Sequence, residues 1–156
     1  MKLQRMFIWI AGALFAVGFA VPQAGAGTGV PGCDVDGIPM QIEVNALRAG
    51  AREVNAGPNQ TTNVTAKARI LKGTAPTGTT IATTLQIDAV DDGGVIGAGS
   101  SGPITLGVGK GGKGDKLSLA TERCIGGFIT FIATFTGQDD DGDTCEGQRE
   151  LRKSCK

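Results

Sequence analysis

Apolar and polar residues alternate along most of the chain after residue 37, which is the pattern of strands buried on one face. The period of two is clearest in residues 38–46, 62–71 and 80–90. The positions predicted to face the core are Ile38, Met40, Ile42, Val44 and Ala46; Val64, Ala66, Ala68 and Ile70; and Ile81, Thr83, Leu85, Ile87 and Ala89. Each of these segments is therefore predicted to be a half-buried strand.

The second half of the chain predicts further short strands and a closing hairpin. Residues 95–96 fit a short edge strand, and residues 104–108 alternate again. Residues 124–137 are rich in β-branched and aromatic side chains, which favours a buried strand. The dipeptide Asp141-Gly142 is a strong hairpin signal, because both residue types tolerate a positive φ. We expect residues 145–155 to return along the preceding strand.

The segments between these strands decide the fold class. Residues 47–54 are ambiguous between a continued strand with a kink at Gly50 and one short helical turn. No stretch keeps a helical period, and about seven short strands are separated by Gly, Pro and Asp turns. One-sided alternation favours antiparallel sheets. The sequence therefore predicts an all-β, immunoglobulin-like antiparallel β-sandwich with Greek-key connections, with a β-barrel as the main alternative.

The first residues have the composition of a secretory signal. Lys2 and Arg5 precede an apolar run, and Ala24-Gly25-Ala26 fits a cleavage site for small residues. A membrane anchor is the alternative, but the run of about 15 residues is shorter than the roughly 20 that span a bilayer. We predict a signal peptide in residues 1–26, a Gly/Pro-rich lead-in in 27–37 and a single β-sandwich domain in 38–156. No membrane span is expected after cleavage.

Charge and composition weaken several classes of function. The chain has 15 Lys and Arg against 15 Asp and Glu, and a near-neutral balance argues against a nucleic-acid partner. It has no His and no Tyr, and its one Trp lies in the predicted signal. Histidine is the usual general base, and Tyr and Trp commonly supply contact area in binding grooves. We therefore expect no enzymatic activity.

The four cysteines indicate disulfides. Cys33, Cys124, Cys145 and Cys155 all follow the predicted signal, and an even number in an exported chain predicts two bridges with three connectivities. A zinc site would be expected to include His as well as closely spaced Cys, and the chain contains no His.

Two short motifs carry a resemblance. Residues 56–61 (Ala-Gly-Pro-Asn-Gln-Thr) resemble the opening of PKD-type and related bacterial immunoglobulin-like domains. Residues 132–136 with the turn 140–144 resemble the closing strand of those domains. The resemblance implies an extracellular sandwich used for adhesion, spacing or substrate docking. In that topology the last strand lies parallel to the first and antiparallel to the one before it. This arrangement implies Cys33–Cys145 and Cys124–Cys155; the alternative pairs Cys33 with Cys124 and Cys145 with Cys155.

An acidic loop is the candidate metal site. Asp139, Asp141 and Asp143 alternate like ligands for a hard cation, and Glu150 occupies the twelfth position counted from Asp139, as in an EF-hand loop. The sixth position is Thr144, where an EF-hand requires Gly, so we expect at most a looser Ca²⁺ site. A solvated turn is the favoured interpretation, because close carboxylates repel one another. No other cofactor is expected.

Residues 107–114 contain the glycine spacing of a phosphate loop. Gly114 stands where that loop needs Ser or Thr after its lysine, and the next residues do not predict a helix. We interpret the segment as a flexible connection.

Three functional hypotheses follow. The leading one is an exported, secreted or periplasmic, non-catalytic module of a Gram-negative bacterial envelope or extracellular space, whose partner is an unidentified protein or polysaccharide at the cell surface. The second is a Ca²⁺-dependent accessory domain that binds a surface or polysaccharide through the acidic turn. The third is a small hydrolase that uses only carboxylates, drawn from Glu43, Glu53, Asp88, Asp91 and Asp92.

Overall fold

The computed structural model describes residues 33–109 and 111–156, and every regular element in this part of the chain is a strand. The strands are β1 (Asp34–Val35), β2 (Ile38–Pro39), β3 (Ile42–Ala49), β4 (Thr61–Ile70), β5 (Thr80–Asp91), β6 (Gly94–Gly107), β7 (Lys113–Ala120), β8 (Phe128–Gln138) and β9 (Thr144–Ser154). The predicted signal peptide lies outside the described residues. Within them, there is no helix with the length and apolarity needed to cross a membrane.

The larger strands form two antiparallel sheets, which confirms the all-β sandwich predicted from the sequence. One sheet has the order β3-β4-β7 and the other β6-β5-β8-β9. The chain changes sheet after β4, after β6 and after β7, as in a Greek-key sandwich. The expected parallel pairing of the first and last long strands is wrong for the described residues. In them β9 pairs with β8, and a single parallel bridge joins Cys155, just beyond the end of β9, to Val54 in the segment that follows β3.

The core follows the predicted alternation in β4 and β5, whose inward side chains are buried. The segment predicted as the first strand, residues 38–46, departs from this alternation. Ile38 is 44% exposed in the small β1–β2 hairpin, and the alternation in β3 breaks at a register shift between Glu43 and Ala46. This irregularity turns Leu47 into the core instead of Ala46. The ambiguous segment after Ala46 therefore continues the strand as far as Ala49.

β6 is a single strand of 14 residues, whereas the sequence predicted two separate pieces. Glycines within β6 interrupt the apolar alternation, and the structure shows why glycine is needed there. A Cβ atom at Gly97 would lie 2.6 Å from the backbone oxygen of Ala120, and one at Gly99 would lie 2.9 Å from Leu119 Cδ2. At Gly97 the neighbouring atom is backbone, so only a residue without a side chain lets β6 lie this close to β7 of the other sheet.

The closing hairpin is present and pairs from Phe128 opposite Ser154 to Gln138 opposite Thr144. Its connection comprises residues 139–143, longer than the tight turn that Asp141-Gly142 suggested. Phe131 and Phe135 are fully buried between the sheets, and each such burial contributes roughly 1.5–3 kcal/mol. β9 therefore forms one edge of the larger sheet along its whole length.

Candidate functional site

Both ends of β9 are attached covalently to other parts of the domain. Cys33 is bonded to Cys145 and Cys124 to Cys155, with Cα–Cα distances of 5.0 and 6.0 Å. This is the pairing that the immunoglobulin-like topology implied. We call the end with Cys33–Cys145 and residues 139–143 the tip, and the end with Cys124–Cys155 and Asp91 the foot. Two disulfides indicate an oxidising, extracytoplasmic environment.

Part of the predicted lead-in belongs to the folded domain. Cys33 is buried, and residues 34–39 form the β1–β2 hairpin, so ordered structure begins before residue 38. The backbone N–H of Asp34 donates to Asp139 Oδ2 at 3.0 Å, which ties the hairpin to the tip.

Asp139 organises the tip through backbone groups. Besides the Asp34 amide, its carboxylate accepts the N–H groups of Asp141 and Asp143 at 3.2 and 2.8 Å. The hydrogen bond from Asp34 is the main cause of a lowered Asp139 pKa; burial opposes it, and the amides of Asp143, Asp141 and Gly142 add to it. Asp139 is therefore an anionic cap on the loop.

The structure does not bring the four predicted Ca²⁺ ligands together. Glu150 lies opposite Ile132 in the β8–β9 ladder, whereas the tip begins beyond Thr144. At about 3.4 Å per residue this separates Glu150 from the tip by roughly 20 Å. In the described residues, the one group of three acidic or thiol side chains within ligand distance is Cys33, Asp139 and Cys145, and its two sulfurs are bonded to each other. A Ca²⁺ site at Asp139, Asp141 and Asp143 remains a prediction.

The foot contains an ion pair between a buried carboxylate and an exposed arginine, which the sequence did not predict. The Asp91 side chain has no exposed surface, and its carboxylate accepts bonds from Arg123 Nε and Nη2 at 3.0 and 3.2 Å. It also accepts the backbone N–H groups of Gly93 and Ile125 at 2.8 and 3.2 Å. Burial by itself raises the pKa of Asp91, but the bond and charge of Arg123 and the two amides outweigh it, so the pKa is lowered.

Three of the remaining carboxylates of the hydrolase hypothesis already have side-chain partners elsewhere in the domain. Glu43 pairs with Arg69 at 2.7 Å, and Glu53 pairs with Lys156 at 2.8 Å, raising the pKa of that lysine. Asp88 accepts a bond from Gln86 at 2.8 Å, and Asp92 lies in the exposed turn after β5. These side chains lie on different strands and connections.

The glycine-rich segment connects two strands. β6 ends at Gly107 and β7 begins at Lys113, so a strand stands where a phosphate loop requires a helix. Lys110 lies outside the described residues.

A groove of about 400 Å³ at the tip is lined by Val35, Met40, Ile81, Gln138 and Asp140, among others. Asp139 also lines it, but its oxygens accept the backbone bonds described above. The groove could hold a small group, and its lining also includes the hydroxyl-bearing Thr79 and Thr80.

The comparisons with known proteins add no family. No protein-family model matches this chain, and no curated protein matches it.

Proposed function

We propose that this chain is an exported, non-catalytic binding or structural module of the bacterial envelope or extracellular space. The observation that carries the proposal is the attachment of β9 by a disulfide at each end. Such bridges form and persist in oxidising compartments, and they stabilise the folded state of a small domain. Residues 1–26 would supply the export signal and be removed.

The side-chain chemistry supports the non-catalytic part of the proposal. Asp91, Glu43 and Glu53 each bind a basic residue of the same domain. The chain contains no His, so the commonest general base is missing. A rigid sandwich that presents its faces and loops is suited to adhesion, spacing or docking. The Ca²⁺-dependent alternative is not favoured, because Glu150 lies far along β9 from the acidic turn.

Fractionation of a bacterium that expresses the full chain tests the proposal. We expect the protein in the periplasm or medium, beginning at Gly27, with no thiol that reacts with an alkylating reagent unless a reductant is added. A matched variant that lacks residues 2–26 should stay in the cytoplasm with reactive thiols. Full-length protein retained inside the cell, or reactive thiols in the exported protein, would contradict the proposal.

A further inference from the structure

The outer face of the β3-β4-β7 sheet carries a group of basic side chains. Arg48 on β3 and Lys116 on β7 both lie beside Thr65, which is their common partner on the central strand β4. Lys67 lies two residues further along β4, between Ala46 and Gly114. All three basic residues are exposed. We call Arg48, Lys67 and Lys116 the basic face.

The spacing of the strands keeps these charges close together. Neighbouring strands lie about 4.8 Å apart, which puts the backbones of Arg48 and Lys116 roughly 10 Å apart across β4. Two residues along a strand cover about 7 Å, so Lys67 lies at a similar distance from both. These separations are comparable with the Debye length of about 8 Å at physiological salt, so the three positive charges reinforce one another.

No acidic group within the described part of the chain forms an ion pair with the basic face. The ion pairs found there join Arg69 to Glu43, Arg123 to Asp91 and Lys156 to Glu53. Asp115 is next to Lys116 in sequence, but it is the partner of buried Ala66 and therefore belongs to the opposite side of β7, where it accepts a bond from Ser101. The basic face is left to attract an external anion.

The rest of this face carries no large apolar side chain. Besides Glu43 and Arg69, which form an ion pair with each other, its other positions hold small or polar side chains: Ala46, Thr61, Asn63, Thr65, Gly114 and Ser118. The large exposed apolar residues of the described chain, Ile38, Val95, Ile125 and Phe128, lie on other elements. The face therefore lacks the apolar anchors of membrane binding and protein interfaces, and the aromatic platforms that stack on nucleic-acid bases.

We propose that the basic face binds an acidic polysaccharide outside the cytoplasm. The three cations would contact carboxylate or sulfate groups spaced along an extended chain, with affinity that falls as salt rises because bound counterions are released. The inference rests on the proposed export of the protein and deepens its binding role. It differs from the Ca²⁺ hypothesis in the surface used and in requiring no metal.

The near-neutral composition hides this face because the charges are sorted in space. Many acidic residues lie at the tip and in the β1–β2 hairpin bonded to it: Asp34, Asp36, Asp139, Asp140, Asp141 and Asp143. The net charge of the chain is zero because these acidic residues are balanced by basic residues, although the basic face lies on a different surface.

The test compares two triple variants of the mature, oxidised protein that remove the same charge from different places. One is Arg48→Gln/Lys67→Gln/Lys116→Gln; the control is Arg52→Gln/Lys72→Gln/Lys153→Gln, which leaves the basic face intact. Binding is measured by titration with fluorescent dextran sulfate and with polygalacturonate, using neutral dextran as a blank and a DNA duplex as a competing class of polyanion. Circular dichroism and thermal melting establish that each variant is folded.

We expect the wild type and the control to bind both acidic polysaccharides in a salt-sensitive manner and to ignore dextran. The basic-face variant should bind roughly tenfold more weakly or worse, since three contacts with the polyanion are lost. Equal losses in the two triple variants, no binding by the wild type, or tighter binding to DNA than to either polysaccharide would each overturn the proposal. None of these outcomes would change the expected export and oxidation of the protein.

Discussion

The tip and the foot fix the two ends of β9 by similar means under different electrostatic conditions. Each end has a disulfide and an aspartate that collects backbone N–H groups: Asp139 at the tip and Asp91 at the foot. Asp91 has no exposed surface and is paired with Arg123. Asp139 is half-buried and forms no ion pair with a basic residue of the described chain.

This difference shows what burial demands of a carboxylate. In a site without water, an unpaired anion would become protonated, because desolvation favours the neutral acid. Asp91 remains ionised because Arg123 and two amides replace the lost water. The tip keeps solvent access, so three backbone amides suffice and neighbouring aspartates are tolerated. The carboxylate of the foot therefore depends on a cationic partner, whereas that of the tip does not.

Removing the two disulfides separately should give the largest effects. The bridge at the tip joins residues 112 apart in sequence, and the one at the foot joins residues 31 apart. Loop-closure entropy then predicts losses of about 4.8 kcal/mol for Cys33→Ala/Cys145→Ala and about 3.7 kcal/mol for Cys124→Ala/Cys155→Ala. Denaturant unfolding of the two double variants measures both. A larger loss at the foot would mean that native contacts, rather than loop length, decide the order.

The next largest effects should come from replacing Asp91 and Asp139, and the loss of stability should differ between the foot and the tip. Asp91→Asn removes the charge that Arg123 needs and should lower the melting temperature by several degrees, whereas Asp139→Asn should lower it less, because its surroundings are solvated. The matched variant Arg123→Gln removes the positive charge of the same ion pair. The double variant Asp91→Asn/Arg123→Gln should lose less stability than the two single losses added together. Additive losses would show that the ion pair itself contributes nothing.

The same two residues should both contribute to the pH dependence of stability. Both pKa values are lowered from an ordinary value of 3.8. A lowered pKa stabilises the folded state while the acid is ionised, so the contribution is complete well above pH 3.8 and is lost as the pH falls below it. We expect melting temperatures to fall steeply below about pH 4 in the wild type and less steeply in Asp91→Asn and Asp139→Asn. Parallel curves for all three proteins would contradict this assignment.

The sequence predicted best where burial alone decided the residue type. β4 and β5 alternate because one face of each meets the core, and their inward residues were identified correctly. Long β6 was divided in two because Gly97 and Gly99 serve a contact with the other sheet, which no local pattern records. The Asp91–Arg123 pair was missed for a similar reason, since its members are 32 residues apart and meet only in the folded chain. The basic face was hidden because alternate positions of three strands, distant in sequence, contribute to it.

The smallest expected effect concerns Ca²⁺ at the tip. The Asp139 oxygens already accept three backbone N–H groups, and Glu150 lies too far along β9 to complete a ligand set. A cation would have to displace those bonds or rely on Asp141 and Asp143, which are exposed and well solvated. We therefore expect millimolar Ca²⁺ to move the melting temperature no more than Mg²⁺ at the same ionic strength. A rise specific to Ca²⁺ that disappears in Asp141→Asn/Asp143→Asn would restore the metal site, and the tip would then be the binding end of the domain.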